Sequence, residues 1–265
     1  LDQYKVLMIL QKGNLECEKI VNTNRDLFNS ILITDPSGVS IDSKITNNRI
    51  LGFYIGFEFW KSDYVISIED DTSISQDSLK FVDYSYDKYK RDYWFRGVNL
   101  GSTLQKDLSN KNSYSLLRFG IHGPASMITK RTWNMMNIKR IMKYHERIFD
   151  AQFEFVVKTG FMVTPNVSRF YNRGFIGAHS NNSDAKKFYD RINQSFQNIA
   201  FSEEHTNYYK FNIDPKWRKD CILFRRRDFL IYWLKAKVYP VSYRFPQSLR
   251  AIYFLRLLGK KLVID

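Results

Sequence analysis

Three consecutive carboxylates, Glu69, Asp70 and Asp71, follow directly on Tyr64-Val-Ile-Ser-Ile68. Tyr64, Val65, Ile66 and Ile68 are strand formers, so the acids fall where a strand leaves its sheet. Like charges this close raise one another's pKa, and a cation relieves them. Oxygen-only ligands at a strand end suit Mg²⁺ or Mn²⁺, and those ions suit a diphosphate. An acidic turn that merely solvates the strand exit explains the triplet equally well, so other residues must decide between the two readings.

Asp150 and Glu154 form a second pair, spaced to share one helical face. Ile148, Phe149 and Phe153 flank them, and partial desolvation there would raise a carboxylate's pKa and its strength as a base. An N-cap aspartate opening a helix accounts for the same spacing. Two glycine-bearing stretches could bring backbone close to a ligand. One is Arg118 to Thr129, with Gly120, Gly123 and Pro124; the other is Ser168 to Ser180, with Arg169, Arg173, Gly174, Gly177 and His179.

The elements that must hold these groups read as alternating strands and helices. Lys5–Leu10 and Ile31–Thr34 are apolar runs of strand length, the pattern of strands buried on both faces. Leu15–Phe28, with Ile20, Val21 and Leu27 on its apolar face, and Asn48–Trp60 read as helices. Strand, helix, strand, helix, strand is the order of a parallel α/β sheet, whose ligands bind beyond the carboxyl ends of the strands. Gln11, Asp35 and the acidic triplet would then face one cleft. Helices are expected over Gln76–Tyr89 and Lys130–Lys143, with strands at Tyr93–Asn99, Ala125–Ile128 and Val163–Val167.

The chain has 265 residues, 44% of them hydrophobic, enough for one large domain or for one domain with an appended segment. Its two cysteines, Cys17 and Cys221, give no disulfide framework, which fits a reducing compartment. No apolar run approaches the roughly 18–20 residues of a membrane span. Of the net charge of +14, +9 falls between Arg218 and Asp265, twelve Lys or Arg against three Asp. Cys221–Tyr239 and Ser248–Lys261 read as basic amphipathic helices, suited to an anionic membrane surface. Arg and Lys stems covering a helical pair packed on the sheet would give the same pattern. The expected division is a catalytic domain over 1–205 and a basic, aromatic helical segment over 206–265.

Four stretches together resemble the GT-A fold glycosyltransferases, most nearly the inverting N-acetylglucosaminyltransferase I type. They are Ile68-Glu-Asp-Asp71 followed by Thr-Ser-Ile-Ser-Gln-Asp, Gly120-Ile-His-Gly-Pro-Ala-Ser-Met, Phe149-Asp150, and Arg173-Gly-Phe-Ile-Gly-Ala-His179. The resemblance covers roughly Val6 to His179. It implies a Rossmann-like α/β fold with a mixed, mostly parallel sheet flanked by helices. It also implies Mn²⁺ (or Mg²⁺) on Asp71, and a nucleotide-sugar donor, UDP-linked by analogy, held by Asp70, Glu69, Asp35 and Arg49, with Gly123 and Arg173 on the donor side. Asp150 takes the place of the general base, with Glu154 its rival, because the acid that follows the base in relatives is Ala151 here. Their tryptophan before the base is Phe149. His179 lies where relatives close over the donor, and as a second metal ligand it is the lesser reading.

The expected activity is transfer of a hexose or N-acetylhexosamine to a glycan or lipid-linked acceptor in surface-polysaccharide or lipopolysaccharide synthesis. The site of action would be the cytoplasmic face of a bacterial inner membrane, with a Golgi-lumen domain as the alternative. A metal-dependent nucleotidyl- or phosphotransferase would also use clustered carboxylates, but no Walker-type lysine loop is present. A nucleic-acid-binding protein would suit the isoelectric point of 9.6. The charge lies in the tail, however, and no nucleic-acid motif is present, so no nucleic acid is expected as a partner.

Overall fold

The computed structural model describes residues 4–35, 41–102, 113–117, 124–136, 156–157, 159–174, 183–198 and 210–211. The chain divides into two compact units, Leu1–Ser62 and Asp63–Asp265. The expected boundary near 205 lies outside the described residues, as does the C-terminal basic segment apart from Lys210 and Phe211.

In the first unit, β1 (Leu7–Gln11) and β2 (Ser30–Thr34) pair in parallel, from Leu7 opposite Ser30 to Gln11 opposite Thr34. Between them runs α1 (Leu15–Thr23), whose first turn is capped by Asn14 through its Oδ1 to the Cys17 N–H, 3.2 Å. Asn24 ends the helix by turning its side-chain amide onto the Ile20 carbonyl, 2.8 Å. A 3₁₀ turn, Arg25–Leu27, replaces the last part of the expected longer helix. Helix α2 (Ile41–Tyr54) continues into a π-helical turn, Ile55–Phe59. Of the three residues expected on the apolar face of α1, Val21 is buried, while Ile20 and Leu27 are exposed. Ile33 in β2 is exposed too, so this strand is not buried on both faces. Alternation sends successive side chains to opposite faces, and an apolar run shows that both faces are apolar, not that both are covered.

The second unit has a mixed six-stranded sheet flanked by helices. Its order is β10 (Lys210–Phe211), β6 (Ser113–Leu117), β8 (Phe161–Pro165), β5 (Phe95–Asn99), β7 (Ala125–Thr129) and β3 (Tyr64–Ile68). The pairings β10–β6 and β8–β5 are parallel; β6–β8, β5–β7 and β7–β3 are antiparallel. The expectation of a mostly parallel sheet is corrected here. The acidic strand β3 joins through an antiparallel ladder to β7, from Tyr64 opposite Thr129 to Ile68 opposite Ala125. A hydrophobic run fixes a strand but carries no direction, and the partner of β3 comes from some sixty residues downstream. Gly97 is required where β5 meets β7, because a Cβ there would overlap the Met127 carbonyl.

Helix α3 (Ser78–Tyr89) lays Phe81, Val82 and Ser85 on the sheet. There the two apolar residues join Phe95, Val98, Tyr114, Met127, Phe161, Val163 and Ile192 in the core. Helix α4 (Lys130–Met135) begins at the end of β7, capped by Thr129 through its Oγ1 to the Thr132 N–H. Helix α5 (Ser183–Gln194) brings Ile192 into the same core and leaves Asn193 half-buried beside it. A two-stranded antiparallel ribbon, β4 (Thr72–Ile74) with β9 (Phe170–Asn172), stands apart from the main sheet in its hydrogen bonding. Among the described residues no helix is long and apolar enough to cross a membrane.

Candidate functional site

At the end of β3 the Glu69 N–H donates to the Pro124 carbonyl, 2.8 Å, which anchors the exit to the start of β7. The Thr72 N–H then donates back to the Glu69 carbonyl, 3.1 Å, closing a turn with Asp70 and Asp71 at its two central positions. Asp70 is exposed, whereas Glu69 and Asp71 are half-buried. The chain leaves the turn directly into β4, with Thr72 opposite Asn172 of β9, and the Arg173 N–H donates to the Asp71 carbonyl at 2.8 Å. The acids are thus held by backbone bonds on both sides.

The Asp71 carboxylate is met by the chain just beyond β9. Gly174 lies so close to it that a Cβ at position 174 would overlap Oδ2 and stand 2.6 Å from Cγ. That approach is set by Asn172, whose Oδ1 accepts the Gly174 N–H at 2.8 Å in an Asx turn. Asn172 is in turn gripped by Asn193 of α5, which accepts its N–H at 2.8 Å and donates to its carbonyl at 2.9 Å. Burial pushes the Asp71 carboxyl pKa above its ordinary value, and the neighbouring Asp70 charge pushes it further. The Thr72 hydroxyl, 3.3 Å from Oδ1, pulls in the opposite direction. Asp71 is therefore a carboxylate that gains from a proton or a cation.

Behind the turn, Arg169 and Asp77 form a buried ion pair, Nε to Oδ2 3.0 Å, with side-chain exposures of 0% and 3%. Asp77 Oδ1 also accepts the Ser75 hydroxyl at 2.9 Å, and the guanidinium carbon lies 4.4 Å from the centre of the Phe81 ring. The backbone follows the same line: Ser75 N–H to Arg169 O is 2.8 Å, and Ser78 Oγ reaches that carbonyl at 3.1 Å. This pair fixes the exit of β4 and the start of α3 to the entry of β9. Arg169, which the sequence places in a glycine-bearing stretch able to approach a ligand, is instead a fully buried structural residue.

The remaining candidate residues divide between the two units. Asp35 belongs to the first, where it pairs with Lys12 at 3.2 Å on the surface, both side chains more than half exposed. Arg49 is half-buried on α2 in that unit. The structure brings Glu69, Asp70, Asp71 and Arg173 together in the second. Gly123, Asp150, Glu154 and His179 lie outside the described residues. Among the described residues no group of three or more His, Cys, Asp or Glu is arranged to hold a metal. The sequence reading missed the close contact of Gly174 with Asp71, although Asn172-Arg-Gly174 carries the Asn-x-Gly signal of an Asx turn. It also missed Asp77 and Asn193, because a buried partner leaves no mark on the spacing of a single polar residue. No known family model matches the chain, and no curated protein matches it as a relative.

Proposed function

We propose that the protein is a metal-dependent inverting glycosyltransferase. In this reading it moves a hexose or N-acetylhexosamine from a UDP-sugar to a glycan or lipid-linked glycan acceptor in surface-polysaccharide synthesis. The observation that carries the reading is the turn after β3: two adjacent aspartates at its centre, one exposed and one half-buried, with the buried one under a glycine.

The donor set fits a hard divalent cation that keeps most of its coordination sphere for water and phosphate. Such ions are held by one or two carboxylates together with substrate phosphate oxygens, rather than by a complete protein cage. Asp71 would hold Mn²⁺ or Mg²⁺, with Asp70 beside it. When bound, the ion supplies Lewis-acid stabilisation to a diphosphate leaving group. Asp70 and Glu69 hydrogen-bond the donor. Arg173, exposed and tied by its amide to Asp71, adds positive charge on the same side. Gly123 is a further donor contact in this reading.

Asp150, or Glu154 in its place, removes the proton from the acceptor hydroxyl as it attacks the anomeric carbon. One displacement inverts the configuration and needs no enzyme nucleophile. His179 has a structural or acceptor-side role in the same scheme, with metal ligation its lesser reading. The basic segment after residue 206 would hold the enzyme on an anionic membrane face at the cytoplasmic side, near a lipid-linked acceptor.

Thermal-shift screening of UDP-sugars, with and without Mn²⁺, tests the proposal. Stabilisation by at least one UDP-sugar, dependent on Mn²⁺, is the expected result; none with any nucleotide-sugar would overturn it.

A further inference from the structure

We infer that Asn193 and Gly174 position the Asp71 carboxylate, acting through Asn172. The inference rests on the reading of Asp71 as a metal ligand, but its geometry is independent of that reading. Asn193, on α5, mimics a strand edge: it accepts the Asn172 N–H at 2.8 Å and donates to the Asn172 carbonyl at 2.9 Å. This fixes both backbone polar groups of the last residue of β9. The Asn172 side chain then takes the Gly174 N–H at 2.8 Å and turns the chain across the carboxylate. The absence of a side chain at 174 lets the backbone lie directly on Oδ2. Two further bonds hold the platform. The Arg173 N–H donates to the Asp71 carbonyl, 2.8 Å, and Ser195, two residues after Asn193, locks the end of α5 through its Oγ to the Ser102 carbonyl, 2.8 Å.

A side chain on position 174 must therefore push the Asp71 carboxylate out of place. Loss of the Asn193 amide frees the same backbone without adding any atom. Partners that orient a metal-binding carboxylate typically alter metal affinity by about 10–100-fold when removed. None of Asn172, Gly174 and Asn193 needs to touch the metal or the substrate to do this, so they are positioning residues.

The experiment uses the full chain as wild type, Asp71→Asn, Gly174→Ala, Asn193→Ala and the conservative Asn193→Asp, which keeps the acceptor for the Asn172 N–H. Two readouts are taken. One is the Asp71 side-chain carboxyl ¹³C resonance in aspartate-labelled protein, identified by its loss in Asp71→Asn. The other is the affinity for Mn²⁺ alone, from water-proton relaxation. The resonance is expected to move in Gly174→Ala and Asn193→Ala and to move less in Asn193→Asp. Mn²⁺ affinity should fall by about tenfold or more in the two alanine variants.

An Asp71 resonance unchanged in Asn193→Ala and Asn193→Asp overturns the inference, whatever Mn²⁺ does. Equal Mn²⁺ affinity in wild type and Asp71→Asn overturns the metal reading instead, and the resonance still decides the positioning claim. Should an alanine variant not fold, Asn193→Asp carries the same decision.

Discussion

Gly174 lies against the half-buried Asp71 carboxylate with no room for a Cβ between them, so backbone rather than a side chain meets this acid. Asp71 is desolvated by burial, while Asp70 is exposed. Two neighbouring aspartates thereby acquire different properties, one of them uncomfortable as a bare anion.

The first consequence concerns stability without metal. The pKa of Asp71 is raised in the folded state, so the folded protein binds that proton more tightly than the unfolded chain does. Asp71 therefore costs stability above its folded pKa and ceases to cost it as pH falls below the unfolded value. Asp71→Asn should raise the thermal midpoint of the metal-free protein at neutral pH, by calorimetry or fluorescence melting, and the gain over wild type should shrink in acid.

The same shift sets the pH dependence of cation binding. Mn²⁺ competes with a proton on Asp71, so affinity should decline as pH falls through a pKa higher than that of an ordinary aspartate. Gly174→Ala, by exposing the carboxylate, should move that midpoint down. Mn²⁺ titrations across mildly acidic to neutral pH give both midpoints.

Breaking the Arg169–Asp77 pair should be costly because each partner is desolvated. Arg169→Met takes the cation away from a buried carboxylate and should destabilise the unit by about 3–5 kcal/mol in urea unfolding. The double change Arg169→Met with Asp77→Asn should recover a large part of that loss. A double variant as weak as the single one would contradict the pair's role.

Much of this fold was legible from residue pattern. The apolar runs at 5–10, 31–34 and 64–68 are β1, β2 and β3 to within two residues, and the acidic triplet does sit at a strand exit. Strand direction was not legible: the parallel reading came from alternating strands and helices, yet β3 pairs with β7 across a long sequence separation. Arg169 misled because a cation beside glycines reads as a loop, whereas Asp77, which pairs with it, is 92 residues away. The Asn172 to Asn193 contact was invisible for the same reason, since an amide pair needs no periodicity.

The choice of base separates binding from turnover. Asp150→Asn should abolish transfer while leaving nucleotide-sugar affinity within about twofold, because general-base loss acts on the transition state. Glu154→Gln should keep most activity. Steady-state rates set beside donor affinity by calorimetry distinguish the two, and the reverse pattern would assign the base to Glu154.

The central claim is that Asp71 holds a divalent cation which in turn holds a nucleotide diphosphate. Calorimetric titration of UDP into wild type and Asp71→Asn, each with and without Mn²⁺, tests it most directly. UDP should bind wild type tightly only with Mn²⁺, and Asp71→Asn should lose that dependence together with at least about tenfold in affinity. Binding of UDP that is equally strong in both proteins, or indifferent to Mn²⁺, would contradict it.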